Sequence, residues 1–163
     1  MDKNIVKKFK TIMSQQIALQ EQLKKMNQNM HKAIGARDLN AIKSISQEID
    51  FTVEQMDSLE RDRVELLMPY FNDKNRLKHI SSFIDDFPKE EIPAIKKLIA
   101  ELKEKAGANF EQTKSNEIML NEAALDVHKN VEIIAEQVNR PIKYGHAGQM
   151  TAALPKHLVN QRG

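Results

Sequence analysis

The sequence predicts an all-α fold: an antiparallel bundle of three long helices with a short connecting helix and a flexible C-terminal tail. Three observations predict it. Apolar residues recur in alternating steps of three and four along most of the chain, the repeat of an amphipathic helix. Charged residues make up 29% of the 163, aromatics only 5%, and tryptophan is absent, which suits narrow helix seams better than a thick globular core. Five glycines and five prolines are too few for the many turns of a sheet protein. The expected division is a helical domain over 1–140 and a tail over 141–163.

The first helix, from about Asp2 to Ile34, is carried by Ile5, Phe9, Ile12, Gln16, Leu19, Leu23, Met26, Met30 and Ala33. At ~1.5 Å per residue it would be on the order of 50 Å long, so it must lie along a partner helix. Gly35 offers a left-handed stop, and Asp38 offers a side-chain oxygen to cap the next helix. That second helix carries two rows with heptad spacing, Ile42, Ile49, Met56, Arg63 and Ile45, Thr52, Leu59, Leu66, which form a seam facing the first. Pro69 ends it, because the residue before a proline is pushed out of helical geometry.

Leu77, Ile80, Phe83 and Ile84 predict a short connecting helix before Asp85 and Asp86. Pro88, Glu90, Glu91 and Pro93 then suit the start of a third long helix. Its first half is marked by Ile92, Ile95, Ile99, Leu102, Ala106 and Phe110, its second by Leu120, Ala124, Val127, Val131, Ile134 and Val138. The polar run Glu111 to Glu117, with Gly107 nearby, leaves open a kink or a break into two helices. Beyond Arg140, Pro141, Gly145, Gly148 and Pro155 forbid a continuous seam, so the tail is expected to be disordered when free. Its Ile142, Tyr144, Met150, Leu154, Leu158 and Val159 also suit a segment that orders on binding a partner.

The net charge of +2 gives no reason to expect a nucleic-acid partner, but the charge is unevenly spread. Lys3, Lys7, Lys8, Lys10, Lys24, Lys25, Lys32 and Arg37 make the stretch from Met1 to Arg37 basic. Asp38, Glu48, Asp50, Glu54, Asp57, Glu60, Asp62 and Glu65 make the stretch from Asp38 to Glu65 acidic. Opposite fields on consecutive helices favour antiparallel pairing. No apolar run approaches the roughly 20 residues of a membrane span, the N-terminus lacks the apolar block of a secretory signal, and there is no cysteine, so a cytoplasmic protein without membrane insertion is expected.

Catalytic patterns are missing. There is no glycine-rich phosphate loop. A di-metal bundle site needs Glu-x-x-His pairs, yet Gln28, Arg76 and Leu125 stand three residues before His31, His79 and His128. Asp85 and Asp86 sit beside a proline turn, where a structural role outweighs acid–base work. The expectation is a protein that is not an enzyme and uses neither metal nor cofactor. Eight methionines stand out, with Met13, Met26, Met30, Met56 and Met119 in or beside the apolar rows, where flexible thioethers fill gaps or suit varied apolar partners.

Gln15, Gln16, Gln20 and Gln22 on the first helix, Asp38 opening the second, Leu59, Glu60 and Arg63 near its end, and Tyr144 with Gly148 after the third stand in one order. That order resembles the FlgN family of flagellar export chaperones over about Met1 to Met150. Such a family has a glutamine-rich first helix, a tight turn with an Asp, a Leu-Glu-x-x-Arg signature and a Tyr-x-x-x-Gly-like motif before a flexible end. Here the usual Gly-Asp pair is spread out as Gly35-Ala36-Arg37-Asp38, and the stretch from Pro69 to Pro88 is richer than a simple connector.

The resemblance implies a chaperone that keeps the hook-associated proteins FlgK and FlgL soluble and unassembled and delivers them to the flagellar type III export gate. It implies client binding through the C-terminal part of the chaperone, and docking on the export-gate protein FlhA through a tail tyrosine, matched by Tyr144. An exposed apolar stripe on a helix can hold an amphipathic client segment by helix-in-groove packing, and the stripe Leu120, Ala124, Val127, Val131, Ile134 and Val138 is the candidate. Two other readings compete: a structural coiled-coil adaptor that dimerises through its heptad seams, and a basic-helix nucleic-acid binder using Lys3, Lys7 and Lys10. A homo-oligomer stays open in either case.

Overall fold

A computed structural model describes residues 2–71 and 83–138. All regular structure among them is helical. The long helices are α1 (Lys3–Gly35), α2 (Leu39–Leu67) and α3 (Ile92–Val138), and tight 3-10 turns occupy Met68–Tyr70 and Ile84–Asp86. The chain divides into two compact units, Met1–Ala123 and Ala124–Gly163. Most of the expected connecting helix and all of the expected tail, with Tyr144 and Gly148, lie outside the described residues.

Local chemistry accounts for the helix ends. Asp2 caps α1, its carboxylate accepting from the Asn4 N–H at 3.3 Å. Asp38 caps α2 in the same way, accepting from the Ala41 N–H at 3.0 Å. Helix α2 ends at Leu67 and tightens into the 3-10 turn that contains Pro69.

The stop of α1 differs from expectation. Gly35 remains helical and Ala36 is right-handed at φ −79°; it is Arg37, at φ 55°, that takes the left-handed conformation. The Arg37 N–H donates to the Ile34 carbonyl and the Asp38 N–H to the Ala33 carbonyl, each at 3.0 Å. These two bonds form a Schellman closure, which fixes the left-handed residue two positions after the last helical one, whatever its side chain. Helix α3 is continuous through 107–117, so neither Gly107 nor the polar run interrupts it.

Within the first unit α1 runs antiparallel to α2 and parallel to the facing part of α3. Gln16 Nε2 donates to Glu60 at 3.4 Å, and Thr52 Oγ1 meets Met26 Sδ at 3.9 Å. Toward α3, Lys10 pairs with Glu91 at 2.9 Å, and Gln20 and Asn27 meet Asn109 and Asn116 further along.

The apolar core lies where the start of α1, the end of α2 and the start of α3 converge. It comprises Val6, Phe9, Met13, Leu67, Phe71, Phe83, Phe87, Ile95 and Ile99. Four phenylalanines touch one another there, Phe9 and Phe87 with centroids 5.0 Å apart, Phe71 and Phe83 at 5.3 Å, and Phe9 edge-on to Phe83 at 6.3 Å. The segment expected to be a mere connector thus supplies three of the four rings.

Two seams depart in part from expectation. Of the expected row of α1, Phe9, Gln16, Met30 and Ala33 are buried and Ile5, Ile12, Leu19, Leu23 and Met26 are half-buried, while Val6, Met13, Gln20, Asn27 and Ile34 form a buried row beside it. On α3, Phe110 is 66% exposed, and the buried positions near it are Asn109 and Asn116.

Candidate functional site

The Leu-Glu-x-x-Arg element is built into the fold. Arg63 is 1% exposed although it carries a charge, so it must be compensated where it sits. One helical turn earlier, Glu60 supplies both oxygens: Arg63 Nε donates to Oε2 at 2.8 Å, and Arg63 Nη2 donates to Oε1. The guanidinium carbon stands 5.9 Å from the centre of the Phe83 ring, and Gln16 of α1 donates to the same Glu60. The element therefore ties α1, α2 and the segment before α3 into one cluster.

The glutamine-rich face of α1 has a matching role. Asn109 Nδ2 donates to the Gln20 carbonyl at 2.8 Å and to Gln20 Oε1 at 2.7 Å. One heptad on, Asn116 Nδ2 donates to the Asn27 carbonyl at 2.9 Å, while Asn27 Nδ2 donates to Thr113 Oγ1 at 3.1 Å. Beside this ladder Lys105 pairs with Glu21. The hydrogen bond from Lys105, reinforced by its positive charge, holds the Glu21 carboxyl below the usual range, and the same bond raises the Lys105 ammonium.

The candidate client residues lie on a different part of the molecule. Leu120 closes the first unit at 36% exposure. In the second unit Val127, Val131 and Ile134 are 56%, 57% and 58% exposed, Ala124 is exposed, and Val138 is the last residue of α3. Spacings of three and four put these residues on one side of the helix. Their exposure means that this side is not part of the core.

Leu125 and Ile133 in the second unit, and Phe110 and Ile118 in the first, are also more than half exposed. Phe110 belongs to the row expected for the first half of α3, whereas Ile118, Leu125 and Ile133 fall off the expected rows. Along the same stretch, His128 and Glu132 form an exposed pair at 3.2 Å.

Among the described residues no group of His, Asp and Glu is arranged to hold a metal ion. Asp85 and Asp86 are exposed on a 3-10 turn. No described helix is long and apolar enough to cross a membrane. What the geometry offers is a braced helical scaffold in the first unit and, in the second, apolar side chains displayed on the helix surface.

The family described as FlgN protein matches residues 1–152. No curated protein and no solved structure matches the chain. With nearly the whole chain covered, and Gln16, Gln20, Glu60 and Arg63 found linking the helices, the chain belongs to the FlgN family of flagellar export chaperones.

Proposed function

We propose that the protein holds the hook-associated proteins FlgK and FlgL in an export-competent, unassembled state in the cytoplasm. The client's amphipathic helical terminus packs on the α3 face of Leu120, Ala124, Val127, Val131, Ile134 and Val138, and Tyr144 docks the complex on FlhA at the export gate. In this reading the three helices act as an antiparallel bundle, and 141–163 is the flexible arm that carries the docking tyrosine.

The observation that carries the proposal is the exposure of Val127, Val131 and Ile134 along one side of α3. Fully burying a Val, Leu or Ile side chain gains about 1.5–3 kcal/mol. Leu120, Val127, Val131 and Ile134 together gain at most on the order of 6–12 kcal/mol before ordering costs. That range brackets the roughly 8 kcal/mol of a micromolar complex, so the face suffices for reversible holding. Binding alone then draws the client away from assembly by mass action, and no energy source is needed.

The test is co-purification with C-terminal peptides of FlgK and FlgL. The intact chain should retain a peptide, and Val127→Asp combined with Val131→Asp should weaken retention about a hundredfold or more, since each buried charge costs over about 1.4 kcal/mol, a factor of ten. Both positions are exposed, so the variant should keep its helix content. Retention of neither client by the intact chain would remove the proposal.

A further inference from the structure

The side of α1 that faces α3 carries a series of polar contacts that changes character near the helix end. Lys10, Glu21, Gln28 and Lys32 follow one another at spacings of eleven, seven and four, which place them on one side of the helix. Lys10 pairs with Glu91 just before α3, and Glu21 pairs with Lys105 of α3. Beside Gln28 and Lys32, α3 offers Gln112 and Ser115 instead of a carboxylate. No ion pair joins Lys32 to a carboxylate among the described residues. The end of α1 does not need the Lys32 ammonium either, since the carbonyls of Lys32, Ala33 and Ile34 accept from the N–H groups of Ala36, Asp38 and Arg37.

These residues, with His31, line an open-sided cavity of about 520 Å³ between α1 and α3. The amide ladder fixes the tautomer of His31. Asn116, 4% exposed, gives its Nδ2 to the Asn27 carbonyl at 2.9 Å, so its Oδ1 is the atom that meets His31 Nδ1 at 3.3 Å. An amide oxygen only accepts, so Nδ1 carries the hydrogen and Nε2 is the ring nitrogen left for a ligand. Gln112 Nε2 donates to the same Oδ1 at 3.3 Å.

We propose that this cavity binds a phosphate group, either free or carried by a small metabolite. Lys32 supplies an ammonium, and the Ser115 hydroxyl and the Gln28 amide supply neutral donors. Together with His31 Nε2 they outnumber the two oxygens of a carboxylate and suit the three terminal oxygens of a phosphate monoester. The second ionisation of such a phosphate, at a pKa of about 6, also lies beside that of free imidazole, so the two can share one proton from either side. A carboxylate ionises too low to do so. The bound phosphate joins the end of α1 to α3 at a level where no ion pair does. The site lies within the first unit and does not rest on the α3 face proposed for clients.

The test is an NMR titration of the full chain with inorganic phosphate and, separately, with glucose 6-phosphate, ionic strength being held constant with chloride. Amide resonances of 28–32 and 112–116 should shift and saturate, and the thermal unfolding temperature should rise with either ligand. Tighter binding of the sugar phosphate assigns the site to a phosphorylated metabolite, and equal or weaker binding assigns it to free phosphate. Lys32→Gln should weaken binding about tenfold or more. His31→Gln should do the same, because its amide N–H can keep the bond to Asn116 only by turning an oxygen toward the ligand. Lys25→Gln, two turns before Lys32 on α1 and outside the cavity, should leave the affinity unchanged. All three positions are exposed, so helix content should be kept.

Shifts that fail to saturate overturn the proposal. So does acetate that binds as tightly as phosphate at the same resonances, and so does a Lys25→Gln chain weakened as much as the Lys32→Gln chain, which would reduce the effect to general attraction by lysines.

Discussion

Helix α1 meets its surroundings by opposite chemistry at its two ends. Near its start, Phe9 and Met13 are fully buried in a cluster of rings and aliphatic side chains to which α3 contributes Ile95 and Ile99. Toward its end, the contact with α3 is an amide ladder, in which Asn109 and Asn116 donate to the carbonyls of Gln20 and Asn27. Apolar burial is strong but tolerant of sliding, whereas an amide that must find a carbonyl has one satisfactory position per heptad. The first region supplies stability, and the second sets the register of α3 on α1.

The contrast is tested most strongly at Phe9. Phe9→Ala should cost about 3–5 kcal/mol in urea unfolding, because the ring touches both Phe83 and Phe87 and leaves a cavity. A loss below about 1.5 kcal/mol, the cost of a minor contact, would mean that the rings are not the centre of the core.

At the ladder the cost should be smaller and of another kind. Asn116→Ala should cost about 1–2 kcal/mol for the lost hydrogen bonds. Replacing Asn27 and Asn116 together by leucine should recover that stability and yet loosen the register, seen as broadened amide resonances of α3 around Asn109. A double variant with sharp resonances and the parent register would show that the amides do not specify it.

The weakest expected effect belongs to the pair beside the ladder. Glu21 is held below its ordinary value of 4.5, so its contribution is in place above that pH and fades as pH falls through the lowered value. Lys105 is raised above 10.5, so its contribution is in place below that pH and fades as pH rises through the raised value. Lys105→Met should therefore flatten the pH dependence of thermal unfolding at both extremes and change little near neutrality. The pair is partly exposed, and an unchanged profile would show that solvent screens it completely.

Local signals in the sequence were legible where the structure is local. The Asp38 cap, the end of α2 before Pro69 and the three long helices all follow from residues within a turn of the feature they determine. The direction of the seams was less so. Gln20, Asn27, Asn109 and Asn116 are ordinary solvent residues in a hydropathy pattern, and only their mutual hydrogen bonds, made across more than eighty residues of chain, allow them inside. Phe71 and Phe87 were missed for a related reason: they stand outside any helical repeat, and their partners are distant in sequence. The α3 face of Ala124, Val127, Val131 and Ile134 was legible as a stripe, because exposure did not have to be known to see its spacing.

The reversal between α1 and α2 has a consequence for how the hairpin is assembled. Asp38 gives its N–H to the last turn of α1 and its carboxylate to the first turn of α2, so no slack residue separates the two helices. The rotational phase of α2 is thereby inherited from α1, as a gear keeps the phase of the one that drives it. A single residue inserted between Gly35 and Asp38 would turn one whole helix relative to the other, carrying Arg63 out of its site from the far end of the rod.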